Sequence, residues 1–162
     1  MAIMIKPIET DEEARGRGYV HWKAWQETYP GLVDPGYLEW FTLEKAIAKA
    51  LAFRDGLLIA KDGDRVVGFV GIGLSRDADL PETGEVFCLY LLKEYYDQKI
   101  GYGLMCSALE QMPECQRFVL WVLKGNERAI RFYQKFGFRF DGVSQEITLG
   151  TPNTELRMIF TR

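Results

Sequence analysis

The stretch Glu85-Val86-Phe87-Cys88-Leu89-Tyr90-Leu91-Leu92, then Lys93-Glu94-Tyr95-Tyr96-Asp97, then Gln98-Lys99-Ile100-Gly101-Tyr102-Gly103-Leu104, decides how the chain is read. An apolar run of β-forming residues ends in a short polar connection, and a helix opens from it through glycines at alternate positions. The first N–H groups of a helix lack internal partners, the macrodipole is positive there, and small residues let an anion approach. The stretch therefore predicts a strand feeding a cradle for a diphosphate-bearing ligand. Gly101 and Gly103 would equally permit close packing of a helix on a sheet, and the pair alone does not separate the two uses.

Downstream, Phe118–Leu123 is a continuous apolar run, as expected of a central strand covered on both faces. Lys124-Gly125 turns the chain, and Asn126 stands where a helix N-cap belongs. Ala129, Ile130, Phe132, Tyr133 and Phe136 form the apolar side of the next helix, and Gly137 ends it. Two strands close the chain, near Phe138–Val143 and Glu155–Thr161.

Upstream, Leu57–Ala60 and Arg65–Leu74 read as a hairpin turning at Asp62-Gly63. Gly68, Gly71 and Gly73 mark a bulge or a close approach in its second strand. Ser75–Thr83 is a polar, acidic loop. At the N-terminus the run Ile3–Ile8 reads as a short strand that stops at Pro7, and Thr10 with Glu13 makes a capping box. The helix it opens carries Trp22, Trp25, Gln26 and Tyr29 on one face, with Gly16 and Gly18 inside it, and stops at Pro30-Gly31. After a turn at Asp34-Pro35-Gly36, Leu43, Ala46, Ile47, Ala50 and Leu51 form the stripe of a second helix.

The order β-α-α-β-β-β-α-β-α-β-β predicts an α/β (α+β) fold, a mixed sheet with helices on both faces, in one domain spanning 1–162. A dinucleotide fold would place its glycines after the first strand, with an acidic residue about 20 positions on. Here three consecutive strands precede them.

Composition narrows the function classes. The 162 residues carry a net charge of −3, with 48% hydrophobic and 27% charged residues, so the chain has enough apolar material for its own core. That charge predicts no nucleic-acid partner. The three cysteines, Cys88, Cys106 and Cys115, show no metal-ligand spacing, and His21 is the single histidine, which predicts no metal site. No apolar run is long enough to span a bilayer and no signal-peptide pattern opens the chain, so the expectation is a cytoplasmic protein with reduced thiols and no membrane partner.

Two motifs resemble those of the GCN5-related N-acetyltransferase (GNAT) superfamily. The first is Gln/Arg-x-x-Gly-x-Gly/Ala, present as Gln98-Lys99-Ile100-Gly101-Tyr102-Gly103. The second is Asn-x-x-Ala-x-x-Phe-Tyr-x-x-x-Gly-Phe, present as Asn126, Ala129, Phe132, Tyr133, Gly137 and Phe138. The helix with Trp22, Trp25 and Tyr29-Pro30-Gly31 is similar to that of bacterial polyamine-type (spermine/spermidine) acetyltransferases. The chain departs from the commonest form of the first motif at Asp97 and Lys99, which puts a carboxylate and an ammonium beside the expected diphosphate.

The resemblance implies a mostly antiparallel sheet of about seven strands and an acyltransferase that uses acetyl-CoA, with no metal. It implies that amides from Gln98, Lys99, Ile100, Gly101, Tyr102 and Gly103 bind the pyrophosphate. It also implies that Leu89, Tyr90 and Leu91 pair through their backbone with the pantetheine arm, and that Asn126 and Tyr133 touch the cofactor from one helix face. Seven positions separate them, about 10 Å along the axis. Tyr133 would protonate the departing thiolate, its ordinary phenol pKa near 10 suiting that role; a core tyrosine is the alternative. Glu85 would take the amine proton, with water as the competing acceptor, and Cys88 is expected to be packing. Trp22, Trp25 and Tyr29, with Tyr37, would line the acceptor site or belong to the core.

The expected function is direct acetyl transfer to a primary amine, such as a polyamine or another small cationic amine. Acidic Glu27, Asp34 and the Asp77/Asp79/Glu82 loop would draw such a substrate or form only a solvated rim. The alternatives are a protein N-terminal or lysine acetyltransferase, and a non-catalytic acyl-CoA-binding regulatory domain. A homodimer through the C-terminal strands is a further expectation.

Overall fold

The computed structural model describes residues 2–162. Its strands β1 (Ile3–Pro7), β2 (Leu57–Asp62), β3 (Arg65–Leu74), β4 (Thr83–Leu91), β5 (Arg117–Leu123), β6 (Arg139–Leu149) and β7 (Thr151–Thr161) form one sheet in the order β1-β2-β3-β4-β5-β7-β6. Only β4 and β5 run parallel; every other neighbouring pair is antiparallel. The mixed, mostly antiparallel sheet is thus the architecture expected.

The helices are α1 (Asp11–Thr28), α2 (Pro35–Trp40), α3 (Leu43–Ala52), α4 (Ile100–Glu110) and α5 (Glu127–Phe136). The short α2 stands where the sequence predicts only a turn. Pro35 starts it, because a proline at the first helical position loses no hydrogen bond and has φ preset. α1 and α4 lie on opposite faces of the sheet. Phe69 of β3 meets Arg17 and His21 of α1, whereas a side chain at the adjacent Gly68 would meet Leu104 of α4.

Thr10 and Glu13 form the full capping box at the start of α1. The face that α1 buries is not the one its tryptophans mark. Ala14, Arg17, Gly18, Val20, His21 and Ala24 are buried, and Trp22 and Trp25 lie at the flank. The glycines explain the choice. A Cβ on Gly16 would stand 2.7 Å from Val66 Cγ2, and one on Gly18 would stand 2.8 Å from Ile47 Cα. Their small size brings α1 down onto β3 and α3, which turns the aromatic flank toward α2.

Two further boundaries move. The tight turn between β2 and β3 is Gly63-Asp64, one residue later than expected, with Asp62 paired to Arg65 and Gly63 at φ +59°. Glycine at the first turn position suits a glycine-first hairpin turn. The last hairpin also extends to Leu149 and Thr151 around Gly150, where the polar sequence marks no strand. Most of β6 is exposed, so that ribbon lacks the apolar alternation of a half-buried strand.

Candidate active site

β4 and β5 are ladder partners only at Thr83–Arg117, Gly84–Phe118 and Glu85–Val119. Beyond that point β5 stays with β7, and β4 stays with β3. A bulge sits at the parting. Gly71 pairs with Cys88 and Ile72 with Val86, so Phe87 is the extra residue. The β5-facing edge of β4 from Cys88 to Leu91 therefore has no partner strand. Its free N–H and C=O groups can pair with an extended ligand.

α4 begins at the far end of that edge. Asp97 and Lys99 have φ of 63° and 62°, and Lys99 is the N-cap. The amide of Gly103 already donates to Lys99 O at 3.0 Å. Free donors are therefore the amides of Ile100, Gly101 and Tyr102, not Gly103. The glycines also serve packing: a Cβ on Gly101 would lie 3.3 Å from Phe132 Cε1 of α5, and one on Gly103 would lie 3.2 Å from Ile5 Cδ1 of β1. Arg128 Nη2 of α5 lies 3.4 Å from Asp97 Oδ1, and its guanidinium stacks 3.8 Å from the Tyr96 ring centroid. The carboxylate beside the cradle is therefore answered by a cation, while the Lys99 side chain is exposed.

α5 flanks the same cleft. Asn126 caps it, its Oδ1 accepting from the Ala129 amide at 3.4 Å. The Tyr133 ring packs edge-on against Phe132 and Phe138. Burial pushes its phenol well above the ordinary tyrosine value, and the neighbouring Tyr29 and Cys88 add to this. Tyr133 therefore stays neutral at physiological pH.

On β4, the Tyr90 hydroxyl lies 3.2 Å from that of Tyr29, and burial pushes the Tyr29 phenol up to about 12. The thiol of Cys88 is pushed up to about 11, also by burial. It is therefore protonated and a poor nucleophile. His21 is 7% exposed, stacks on Tyr90, and is pushed down to about 3 by burial and the nearby Lys49 and Arg17. It is neutral and does not exchange protons near pH 7.

Glu85 is 1% exposed. Its Oε1 accepts from the Arg76 amide at 3.1 Å and its Oε2 from Arg76 Nη2 at 2.8 Å. The same guanidinium lies 4.9 Å from the Phe87 ring centroid.

The three aromatic residues expected at the acceptor site part company. Trp25 lines a cavity of about 330 Å³ together with His21, Tyr37, Trp40 and Phe41. Tyr29 is buried among Val33, Leu38, Leu123 and Leu149, and Trp22 packs on Tyr19. Lys45 and Lys49 of α3 complete the cavity. Trp40 and Phe41 belong to α2 and its C-cap, which the Asp34-Pro35-Gly36 turn signal masks in the sequence, and the apolar stripe of α3 does not mark its lysines. The i, i+4 spacing of the two lysines on α3 was the available clue. The acidic loop is not free either: Arg157 Nη1 and Nη2 lie 3.4 and 2.8 Å from Asp77 and Asp79, and its Nε lies 2.8 Å from Asp141.

Among the described residues no helix is long and apolar enough to cross a membrane, and no group of His, Cys, Asp and Glu is arranged to hold a metal ion.

The splayed parallel pair beside a helix N-terminus suits an extended ligand that carries an anionic group. Residues 19–138 match the model of the acetyltransferase (GNAT) family, and the chain belongs to that family, whose members take their acetyl group from acetyl-CoA. It is an acetyltransferase. An uncharacterized N-acetyltransferase of Archaeoglobus fulgidus is 33% identical over 116 residues, 68% of this chain and 79% of that one. The spermine/spermidine N(1)-acetyltransferase of Bacillus subtilis is 31% identical over 87 residues, 50% of this chain and 57% of its own length. The fold matches the PaiA N-acetyltransferase of Thermoplasma acidophilum, solved in complex with coenzyme A, with a TM-score of 0.76 and 22% identity over 100% of both chains.

Proposed function

We propose that this chain transfers an acetyl group from acetyl-CoA directly to the primary amine of a small molecule. The observation that carries the reading is the convergence of three elements on one cleft: the unpartnered edge of β4, the free amides of α4, and Tyr133 of α5. The residues fit the cofactor. Amides of Ile100, Gly101 and Tyr102 would receive the pyrophosphate at the positive end of α4. The backbone of Leu89–Leu91 would pair with the pantetheine arm, and Asn126 would face it from the start of α5. Gln98 and Lys99 would flank the diphosphate, Lys99 as a cation.

When bound, acetyl-CoA supplies a thioester whose carbonyl carbon an amine can attack, forming the N–C bond as the C–S bond breaks. Free β4 amides would hold the carbonyl oxygen as charge grows on it. Tyr133 would give its proton to the departing thiolate. Its raised phenol pKa does not defeat this role, because a thiolate formed in the same cleft is destabilised as well. Burial likewise raises the neighbouring Cys88 thiol, to about 11, which is consistent with an environment that disfavours such an anion.

We assign first acceptance of the amine proton to water, since both oxygens of Glu85 are engaged by Arg76. Glu85 would then act by shaping β4 beside the bulge. A half-enclosed cavity beside β4 favours a small acceptor over a protein lysine. The name carried by the Bacillus subtilis relative supports a small amine in general.

The test is a panel of amines incubated with the protein and acetyl-CoA, following thiol release, with mass spectrometry of the product. Acetyl-CoA binding with no thiol release for any amine would instead support a regulatory acyl-CoA-binding role.

A further inference from the structure

We propose that the acceptor amine carries an apolar or aromatic body and a carboxylate, the latter held by Lys49 and Lys45. This rests on the acetyl-transfer reading and narrows its substrate class.

The cavity adjoins β4 through His21, which stacks on Tyr90 with ring centroids 5.4 Å apart. Its aromatic wall suits an apolar body, since Trp25 and Phe41 pack at 4.7 Å and Tyr37 and Trp40 at 5.3 Å. Its charge has one sign. Two lysines line it, and no acidic residue does. Lys45 is already placed, its Nζ donating to Trp40 O at 3.0 Å and lying 4.0 Å from the Trp40 ring centroid. Lys49 lines the same cavity as His21, one helical turn beyond Lys45 on α3. Neither lysine is paired with a carboxylate among the described residues.

A second observation points to a polar ligand. His21 lines this cavity, and its Nδ1 is buried with no hydrogen-bond partner among the described residues. Buried ring nitrogens of this kind are ordinarily partnered. Because His21 is neutral, the cationic character comes from the lysines.

A polyamine would bring further ammonium groups against Lys45 and Lys49, and like charges repel. Of the acids that could offset this repulsion, Asp77 and Asp79 are held by Arg157. A carboxylate on the acceptor turns the repulsion into attraction, and the lysines then select against the polycation.

The test compares phenylalanine and leucine with their amides and with spermidine, using the full chain, acetyl-CoA and thiol release with product mass spectrometry. The carboxylates should exceed both amides and spermidine in kcat/KM by about tenfold or more. Lys49→Glu should erase or reverse that preference, chiefly through KM, and Lys49→Gln should weaken it. Both variants lie at an exposed helix position and should keep the wild-type circular dichroism spectrum. Equal use of acid and amide, preference for spermidine, or a ratio unmoved in Lys49→Glu would overturn the substrate class and leave acetyl transfer standing. Acetyl-CoA binding without transfer to any amine would overturn the transfer reading, and this inference with it.

Discussion

Arg76 holds both oxygens of Glu85, its amide 3.1 Å from Oε1 and its guanidinium Nη2 2.8 Å from Oε2. The carboxylate side chain is 2% exposed and the guanidinium 73%, so the pair joins the buried strand β4 to the solvent-facing loop that follows β3. A carboxylate so engaged orders the strand before the bulge. Glu85→Gln should therefore lower kcat by less than about tenfold, while costing about 1–3 kcal/mol of unfolding free energy through the weakened buried bonds. Urea unfolding and steady-state kinetics measure the two effects separately. A loss of about 100-fold in kcat with unchanged stability would instead assign the amine proton to Glu85.

Tyr133→Phe removes the hydroxyl and keeps the ring between Phe132 and Phe138. Turnover should fall by about 100-fold or more, the scale of a lost general acid, while coenzyme A affinity changes by less than about threefold. Titration calorimetry and initial rates decide it; an unchanged kcat would remove Tyr133 from the chemistry.

Gly101→Asp places a carboxylate among the free amides of α4. Its Cβ would press Phe132 Cε1 only lightly, at 3.3 Å, and an acidic residue in the first turn of a helix is electrostatically favourable. The variant should fold with a melting temperature close to wild type. Its coenzyme A dissociation constant should nevertheless rise by about 100-fold or more, through charge repulsion and occupation of the donors. Retained binding would show that the diphosphate lies elsewhere.

Glu13 joins the start of α1 to β1 and β2. The bond from Lys6 is the largest cause holding its carboxyl at about 2, below its ordinary 4.5, with the Glu9 amide and Lys61 adding and burial opposing. A depressed carboxyl stabilises the fold above the unfolded value, and that stability disappears as pH falls through the folded value. Wild type should thus lose about 3 kcal/mol from this group between pH 4.5 and about pH 2. Glu13→Gln should be less stable near neutral pH and converge on wild type near the acid end. Unfolding curves across that window test it, and a gap independent of pH would refute the linkage.

Much of the fold was legible because the signals were local. Thr10 and Glu13 lie three residues apart, and their reciprocal bonds need only one helical turn. Asn126 caps α5 for the same reason, and the run Phe118–Leu123 states its own burial. The ribbon from Ser144 to Thr154 was not legible, because it exposes most of its residues and carries no core-facing period. The aromatic spacing of α1 misled for a different reason. Two glycines set how closely the helix approaches β3 and α3, and that approach decided which face went inward.

The sequence by itself determined the order of elements, the helix start beside paired glycines and the Asn126–Tyr133 helix, each written within a few neighbouring residues. Only the tertiary structure decided which charges remain available at the cleft. Asp77 and Asp79 lie in a loop that invites a cation, yet Arg157, from the last strand, already holds them. Trp25, Phe41 and Lys49 belong to separate parts of the chain, yet they line one cavity. The field inside a cavity sums over side chains from distant elements and depends steeply on their separations. No local pattern encodes those separations; packing sets them.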